Sequence, residues 1–256
     1  MKTQILKTLV VIPTYNEADN VQNVIEAVLR EAPQVDVLIV DDNSPDGTGS
    51  LVMAHPAYRV QVFLLNRPQK AGLGAAYRAG FTWARRHDYE IVVQMDADLS
   101  HPPAKVPELI EALSSADVAI GSRYVAGGGV ANWSARRRFI SAAGNTYVRR
   151  VLGLPVHDAT AGFRAFRMHA LLQLGVLDSE SNGYCFQIEN TWRAARLGLR
   201  TTEVPITFTD RTRGQSKMSS GIVAEALLRV LVWRWQEIRH PQHRVAIPAS
   251  VGGRAA

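Results

Sequence analysis

The sequence predicts an α/β domain built on a mostly parallel sheet. Two observations carry this. Short continuous apolar runs, each the length of a strand, recur through the first half and end at proline or aspartate. Between them lie segments whose apolar residues repeat at three and four, as on one face of a helix. Their alternation marks βαβ units with right-handed crossovers. At 256 residues and 46% hydrophobic, the chain can fill one domain with a short appendage, and this composition excludes disorder as a whole.

Residues 6–12 are the first apolar run, ending at Pro13. Asn16 and Glu17 open a helix whose apolar face is Val21, Val24, Ile25, Val28 and Leu29. Residues 35–40 give a second strand, and Asp41-Asp42-Asn43-Ser44-Pro45-Asp46-Gly47 is a turn by composition. A third strand covers 60–65 and a helix 74–87. A fourth strand covers 90–95 and ends at Asp96, followed by a helix over 103–114 and a fifth strand over 118–121. The second half is less regular. Gly127-Gly128-Gly129 reads as a flexible loop, 134–152 as a helix with a basic start at Arg136-Arg137-Arg138, and 163–167 as a short strand. Residues 186–197 read as a helix, 202–208 as a strand, 210–217 as a polar basic loop and 219–238 as a helix. The tail has no period and reads as disordered. The expected organisation is a catalytic domain over 1–217, an amphipathic helix over 218–240 and a tail over 241–256.

Composition removes several function classes. A single cysteine, Cys185, excludes an internal disulfide framework and a multi-thiolate zinc site, and it reads as a small buried residue. No uncharged apolar run reaches the roughly 18 residues of a transmembrane helix, and the start does not read as a signal peptide, so a cytosolic address is expected. The net charge of +6 is unevenly spread. Residues 1–119 hold 10 Lys+Arg against 15 Asp+Glu, and residues 120–256 hold 19 against 8. An acidic half suited to a metal is joined to a basic half suited to anions: a phosphorylated substrate, an anionic lipid surface or a nucleic acid. Ordinary surface asymmetry would look the same from composition alone.

In an open parallel sheet, ligands bind at the carboxyl ends of the strands. Three such ends are unusual here: Pro13-Thr14-Tyr15-Asn16-Glu17, Asp41-Asp42 and Asp96-Ala97-Asp98. Acidic strand ends facing one crevice repel each other without a cation, and Asp96 and Asp98 can offer two hard oxygens to Mg²⁺ or Mn²⁺ bridging a diphosphate. A lone D-x-D is more often a solvated turn; a second acidic pair after another apolar strand is what raises the metal reading. There is no P-loop. Gly72-Leu73-Gly74 lacks the third glycine of a dinucleotide fingerprint and does not directly follow a strand, so it reads as a tight helix start.

Taken together, Val11-Ile12-Pro13-Thr14-Tyr15-Asn16-Glu17, Val40-Asp41-Asp42-Asn43-Ser44-Pro45-Asp46-Gly47-Thr48 and Gln94-Met95-Asp96-Ala97-Asp98-Leu99-Ser100-His101-Pro102-Pro103 resemble family-2 inverting glycosyltransferases of the GT-A fold. Gly121-Ser122-Arg123-Tyr124, Trp133-Ser134, Asp158-Ala159-Thr160-Ala161-Gly162-Phe163-Arg164 and Arg211-Thr212-Arg213-Gly214-Gln215-Ser216-Lys217 narrow the likeness to the dolichol/polyprenol-phosphate mannose synthases, over roughly residues 8–238. The resemblance implies that Pro13, Tyr15, Glu17, Val40 and Asp42 hold the guanosine of GDP-mannose. It implies that Asp96, Ala97 and Asp98 form the diphosphate and metal motif, with Mg²⁺ or Mn²⁺ as cofactor. Ser100 stands where some members carry glutamine, and a hydroxyl is a weaker metal donor than an amide carbonyl. Arg123, Arg137, Ser141, Arg211 and Lys217 match phosphate-binding positions, and Asp98, Arg123 and Arg211 are the expected catalytic group.

The implied reaction is inverting transfer of mannose to a polyprenyl phosphate. A related synthase using UDP-glucose or another sugar nucleotide, and a silent subunit binding nucleotide-sugar or lipid, are the alternatives; a nucleic-acid binder draws only on the basic half and is set aside. Asp158 reads equally as an arginine partner or a catalytic group. His101 stands beside the metal motif, the other histidines show no ligand spacing, and Trp192 reads as core. The last helix puts Glu225, Arg229 and Gln236 on one stripe and Val223, Leu227, Val230 and Leu231 on the other, closing with Trp233, Arg234 and Trp235. That pattern suits a membrane interface or packing on the domain. The chain is then expected at the cytosolic membrane face, reached by surface binding, by this helix or through a separate membrane subunit.

Overall fold

The computed structural model describes residues 6–179, 181, 183–210 and 220–239. Its strands are β1 (Thr8–Thr14), β2 (Asp36–Asp41), β3 (Val62–Asn66), β4 (Ile91–Gln94), β5 (Val118–Ser122), β6 (Gly129–Ala131), β7 (Arg164–Arg167), β8 (Thr201–Pro205) and β9 (Thr207–Thr209). Its helices are α1 (Val21–Glu31), α2 (Thr48–Met53), α3 (Leu73–Arg86), α4 (Val106–Ala112), α5 (Ala135–Leu152), α6 (Met168–Gln173), α7 (Gly183–Arg196) and α8 (Ser220–Arg239). Seven strands form one sheet in the order β3-β2-β1-β4-β7-β5-β8. The pairings are parallel except at β7, which runs antiparallel to both β4 and β5.

Each sheet face is covered. Leu9, Val11, Leu38, Val40 and Val92 face the layer of α3, α5 and α7, where Phe81, Val148 and Phe186 are buried. Val10, Ile12, Val37, Ile39 and Val93 face α1 and α4, where Val24, Ile25, Val28 and Leu109 are buried. Two buried faces explain why these strands read as continuous apolar runs rather than alternating ones. At Gly80 of α3 an added Cβ would stand 2.4 Å from Val11 Cγ1, so this helix lies against the sheet only because position 80 has no side chain.

The structure departs from the sequence reading in four places. Pro13 continues β1 instead of ending it. Val11 O accepts from Met95 on the β4 side, so the missing N–H at 13 faces the same side, past the last paired residue Gln94, and no ladder bond is lost. The turn at 41–47 runs into a short unforeseen helix, α2, because Asp46 Oδ1 accepts from Thr48 N and Oγ1. The run over 202–208 splits between two sheets. Ile206 donates to Ser122 O beside β5, and its own carbonyl accepts from Gly129 N, so the last of the three glycines read as a loop starts β6, which pairs with β9, while Gly127 and Gly128 stay in the loop. The antiparallel β7 leads directly into α6, also unforeseen.

Helix α8 docks through Val230, Trp233 and Glu237. Trp192 stacks on Trp233 at 5.7 Å, and Glu237 accepts from Trp192 Nε1 and pairs with Arg196 and Arg234. Its other side exposes Leu228, Leu231, Val232, Trp235 and Ile238. The helix is thus apolar on two sides, one packed and one open. Among the described residues, no helix is long and apolar enough to cross a membrane. Cys185 is buried, as expected. The 241–256 tail lies outside the described residues.

Candidate active site

The three acidic strand ends meet at one edge of the sheet. The loop after β1 is laced to the loop after β2: Asn16 N donates to Ser44 Oγ at 3.0 Å, Glu17 N to Thr48 Oγ1 at 3.1 Å and Ala18 N to Asp46 Oδ2 at 3.0 Å. Asp41 is consumed by this scaffold, accepting from Thr14 Oγ1, Ser44 N and Ser44 Oγ at 2.6–2.8 Å. Asp42 instead pairs with Arg67 Nη1 at 2.6 Å. Burial raises the Asp42 carboxyl above its ordinary range, and the guanidinium of Arg67 only partly offsets this. Lys70 Nζ lies 4.1 Å from the centroid of the Tyr15 ring. Pro13, Tyr15, Glu17, Val40 and Asp42 therefore sit on two adjoining strand ends, with Val40 fully buried as packing.

Asp96, Ala97 and Asp98 follow β4 on a tight loop in which Leu99 takes a φ of +58°. Asp98 Oδ1 accepts from Ser100 N at 3.1 Å. Asp96 is gripped twice. Its Oδ1 accepts from Tyr77 Oη at 3.1 Å, and its backbone N–H donates to His101 Nδ1 at 3.1 Å. The latter bond places the proton of a neutral His101 on Nε2, which stands 3.9 Å from Asp96 Oδ2. Burial holds His101 below its ordinary pKa despite the attraction of Asp96 and Asp98, so the ring is neutral. Gly162 closes over it: a Cβ there would be 3.3 Å from His101 Cε1 and 3.8 Å from Asp96 Oδ2.

Among the described residues, no three or more His, Cys, Asp or Glu side chains gather as a ligand set. The donors present still fit a hard divalent ion. Two carboxylates leave coordination positions for phosphate oxygens, which is how Mg²⁺ is commonly bound beside a nucleotide. Ser100 Oγ is buried and makes no hydrogen bond among the described residues, so a third hard oxygen stands unused in the same loop.

The cationic side comes from β5 and α5. Arg123, at the end of β5, is buried and binds Asp158 through Nε and Nη2, both at 2.7 Å, while its backbone N–H reaches the same carboxylate at 3.1 Å. Thr160 Oγ1 accepts from Nη2 at 2.8 Å. Burial would raise the Asp158 carboxyl, but the charge and hydrogen bonds of Arg123 outweigh it and hold it below its ordinary range. The structure thus resolves Asp158 as the partner of Arg123. The 157–162 loop is itself pinned. Buried Arg164, lowered to about 10 by its desolvation, donates to Ala161 O and Ala159 O, Asn145 Oδ1 caps Ala159 N, and Glu203 accepts from His157 N and Asp158 N. Arg137 pairs with Asp210 at 2.5 Å and lies over the Trp133 ring at 4.1 Å. Ser141 Oγ shares a 2.7 Å hydrogen bond with Tyr124 Oη.

An aromatic wall joins the acidic loop to this cationic side. His101 stacks on Phe163 at 5.1 Å and meets Phe208 edge-on at 5.5 Å, Phe208 meets Trp133 at 5.5 Å, and Arg123 lies 5.8 Å from both the Phe208 and the Trp133 rings. The structure therefore brings Asp96, Asp98, Arg123 and Arg137 to one place. Arg211 and Lys217 lie outside the described residues. Sequence reading missed Tyr77, Arg67, Thr160, Phe208 and Arg164. Thr160 and Arg164 sit inside a recognised motif, so their presence was signalled though their use was not; Tyr77 looked like any apolar helix position.

A site that sets paired carboxylates beside arginines on a mostly parallel sheet suits transfer from an anionic activated donor. The family model of Glycosyl transferase family 2 matches residues 9–175. The chain belongs to this family. As a family-2 glycosyltransferase it is 49% identical over 232 residues to a polyprenol monophosphomannose synthase of Mycolicibacterium smegmatis, spanning 89% of this chain and 86% of that protein. It is 47% identical over 238 residues to an undecaprenyl-phosphate mannosyltransferase of Micrococcus luteus, spanning 91% and 98%. Its fold is similar to that of glucosyl-3-phosphoglycerate synthase from Mycobacterium tuberculosis, solved with Mn²⁺, UDP and glucosyl-3-phosphoglycerate, at a TM-score of 0.66 and 20% identity over 96% of this chain and 82% of that one. This is the GT-A architecture expected from the sequence.

Proposed function

We propose that this glycosyltransferase moves mannose from GDP-mannose to a polyprenyl phosphate, with inversion from α donor to β product. The observation that carries this reading is the pair of relatives at 47–49% identity, both named for mannose transfer to a polyprenol carrier. The geometry supports it. A phosphate monoester, with a second pKa of about 6, is already ionised at neutral pH, so the acceptor needs positioning more than deprotonation. Its oxygen attacks C1 of mannose, forming the C1–O–P linkage as the bond from C1 to GDP breaks.

Pro13, Tyr15, Glu17 and Asp42 are assigned to the guanosine, with the buried Asp42 accepting from the base; Val40, expected with them, is fully buried and serves as core packing of that strand. Asp96 and Asp98, with Ser100 beside them, are assigned to hold Mg²⁺ or Mn²⁺, which when bound would supply positive charge against the diphosphate. Arg123, locked by Asp158, and Arg137, paired with Asp210, are assigned with Ser141, Arg211 and Lys217 to the phosphates. Guanidinium forks suit this task, because they hold phosphate oxygens in fixed geometry. The open apolar side of α8, ending in Trp235 beside Arg239, is assigned to the membrane surface holding the lipid, alone or with a separate membrane subunit. On this layout residues 1–217 are catalytic, 218–240 form the interfacial helix, and 241–256 are an appendage.

The test is transfer of labelled mannose from GDP-mannose into an organic-extractable lipid, with polyprenyl phosphate, detergent and Mg²⁺ or Mn²⁺. Chelator-sensitive label in the lipid that Asp98→Ala abolishes is the expected result, and NMR of the product should show the β anomer. Label from UDP-glucose alone would overturn the donor assignment, and label unaffected by Asp98→Ala would overturn the site.

A further inference from the structure

We propose that Tyr77 is a positioning residue that fixes the Asp96 carboxylate for cation binding. The inference rests on the reading of Asp96 as a metal ligand and adds a residue outside the acidic motif. Tyr77 lies on α3, its side chain is fully buried, and its Oη donates to Asp96 Oδ1 at 3.1 Å. Its ring is held between Phe81 at 5.7 Å and Phe186 of α7 at 6.1 Å, both stacked, so the hydroxyl cannot follow a swinging carboxylate. Asp96 itself is 37% exposed in a loop shared with Asp98, and a carboxylate so placed would otherwise turn freely about its side-chain bonds. The Asp96 main chain is tied to His101, whose ring is stacked on Phe163. One anchor fixes the backbone and the other fixes the carboxylate plane.

The consequence is directional. With Oδ1 engaged by the phenol, Oδ2, which stands 3.9 Å from His101 Nε2, is the oxygen left to a cation. Partners of this kind orient ligating groups, and their loss typically costs about 10–100-fold in metal affinity.

The experiment is a Mn²⁺ titration of the full chain in the presence of GDP, reading free Mn²⁺ by electron paramagnetic resonance. Tyr77→Phe keeps the ring, its stacking and its volume, and removes only the hydroxyl. The expected result is a Kd for Mn²⁺ raised about 10-fold or more, an altered spectrum of the bound ion, an unchanged melting temperature, and a kcat retained at saturating metal. A merely structural role for Tyr77 would lower the melting temperature and leave the bound-ion spectrum as in wild type. Asp96→Asn is titrated alongside. If Asp96→Asn loses Mn²⁺ binding while Tyr77→Phe matches wild type, the Tyr77 proposal is overturned and the metal reading stands. If Asp96→Asn also binds as wild type, the metal reading itself falls.

Discussion

Removing the Asp158 carboxylate should be among the most destabilising single changes in the described fold. Its side chain is 0% exposed and that of its partner Arg123 7%. Asp158→Ala removes the carboxylate that accepts from the Arg123 backbone N–H, Nε and Nη2, at a site where both side chains are buried. Breaking such a buried pair costs about 3–5 kcal/mol, a large part of the roughly 5–15 kcal/mol that holds a domain together. Because Asp158 sits below its ordinary pKa in the fold, its contribution is fully present above about pH 4. It is lost as pH falls through the depressed value. The gap between wild type and Asp158→Asn should therefore hold from pH 8 to 5 and close in acid. The assay is urea unfolding followed by circular dichroism. A double variant, Asp158→Leu with Arg123→Met, replaces the pair with apolar groups and should recover at least half of the loss, while transferring no sugar if Arg123 serves the phosphates. A loss below about 1 kcal/mol in Asp158→Ala, or a double variant as unstable as the sum of its singles, would refute the reasoning.

Three further outcomes are expected. Gly80→Ala drives a methyl to 2.4 Å from Val11 Cγ1 and 3.1 Å from Val40 Cγ2. The overpacking should cost about 1–3 kcal/mol, seen as a lower melting temperature despite the better helix propensity of alanine. Gly162→Ala meets the His101 ring at 3.3 Å and Asp96 Oδ2 at 3.8 Å, both looser than the Gly80 contact, so it should lower sugar transfer while costing less stability than Gly80→Ala; equal stability losses would sink the distinction. Arg67→Ala leaves the buried Asp42 without its cation and lifts an already raised carboxyl further. A raised folded-state pKa disfavours the fold wherever the carboxylate is ionised, so the variant is destabilised at pH 7 and its deficit narrows as pH falls and Asp42 protonates. Denaturant titrations at pH 7 and pH 4.5 check the sign.

Much of this was legible along the chain. A parallel strand buried on both faces writes an uninterrupted apolar run, so β1, β2, β4 and β5 stand out, as do the acidic and polar residues at their carboxyl ends. Helices α3, α5 and α8 were legible to within two residues because their periodicity is long. Short elements were not. Helix α2 starts where the Asp46 carboxylate holds Thr48, and β6 and β9 exist because Ile206 divides its two backbone bonds between two sheets. Neither leaves a period to read.

Local order, then, fixes which residue types stand at each strand end, since the sheet's own repeat carries them there: Tyr15, Asp42, Asp96, Asp98 and Arg123 were all evident before the fold was known. What they are free to do was decided only in three dimensions. Asp41 and Asp42 are neighbours with the same side chain, yet one is spent on a turn and the other pairs with Arg67, because the Thr14 and Ser44 hydroxyls reach the first and a guanidinium from the end of β3 reaches the second. Asp158 became the clamp of Arg123 rather than an acid or base because the loop after α5 is pinned by Arg164, Asn145 and Glu203 from three separate elements. Tyr77 reached Asp96 across 19 residues because α3 lies against the sheet. Contacts between distant segments follow from packing, and packing leaves no local period in the sequence that makes it.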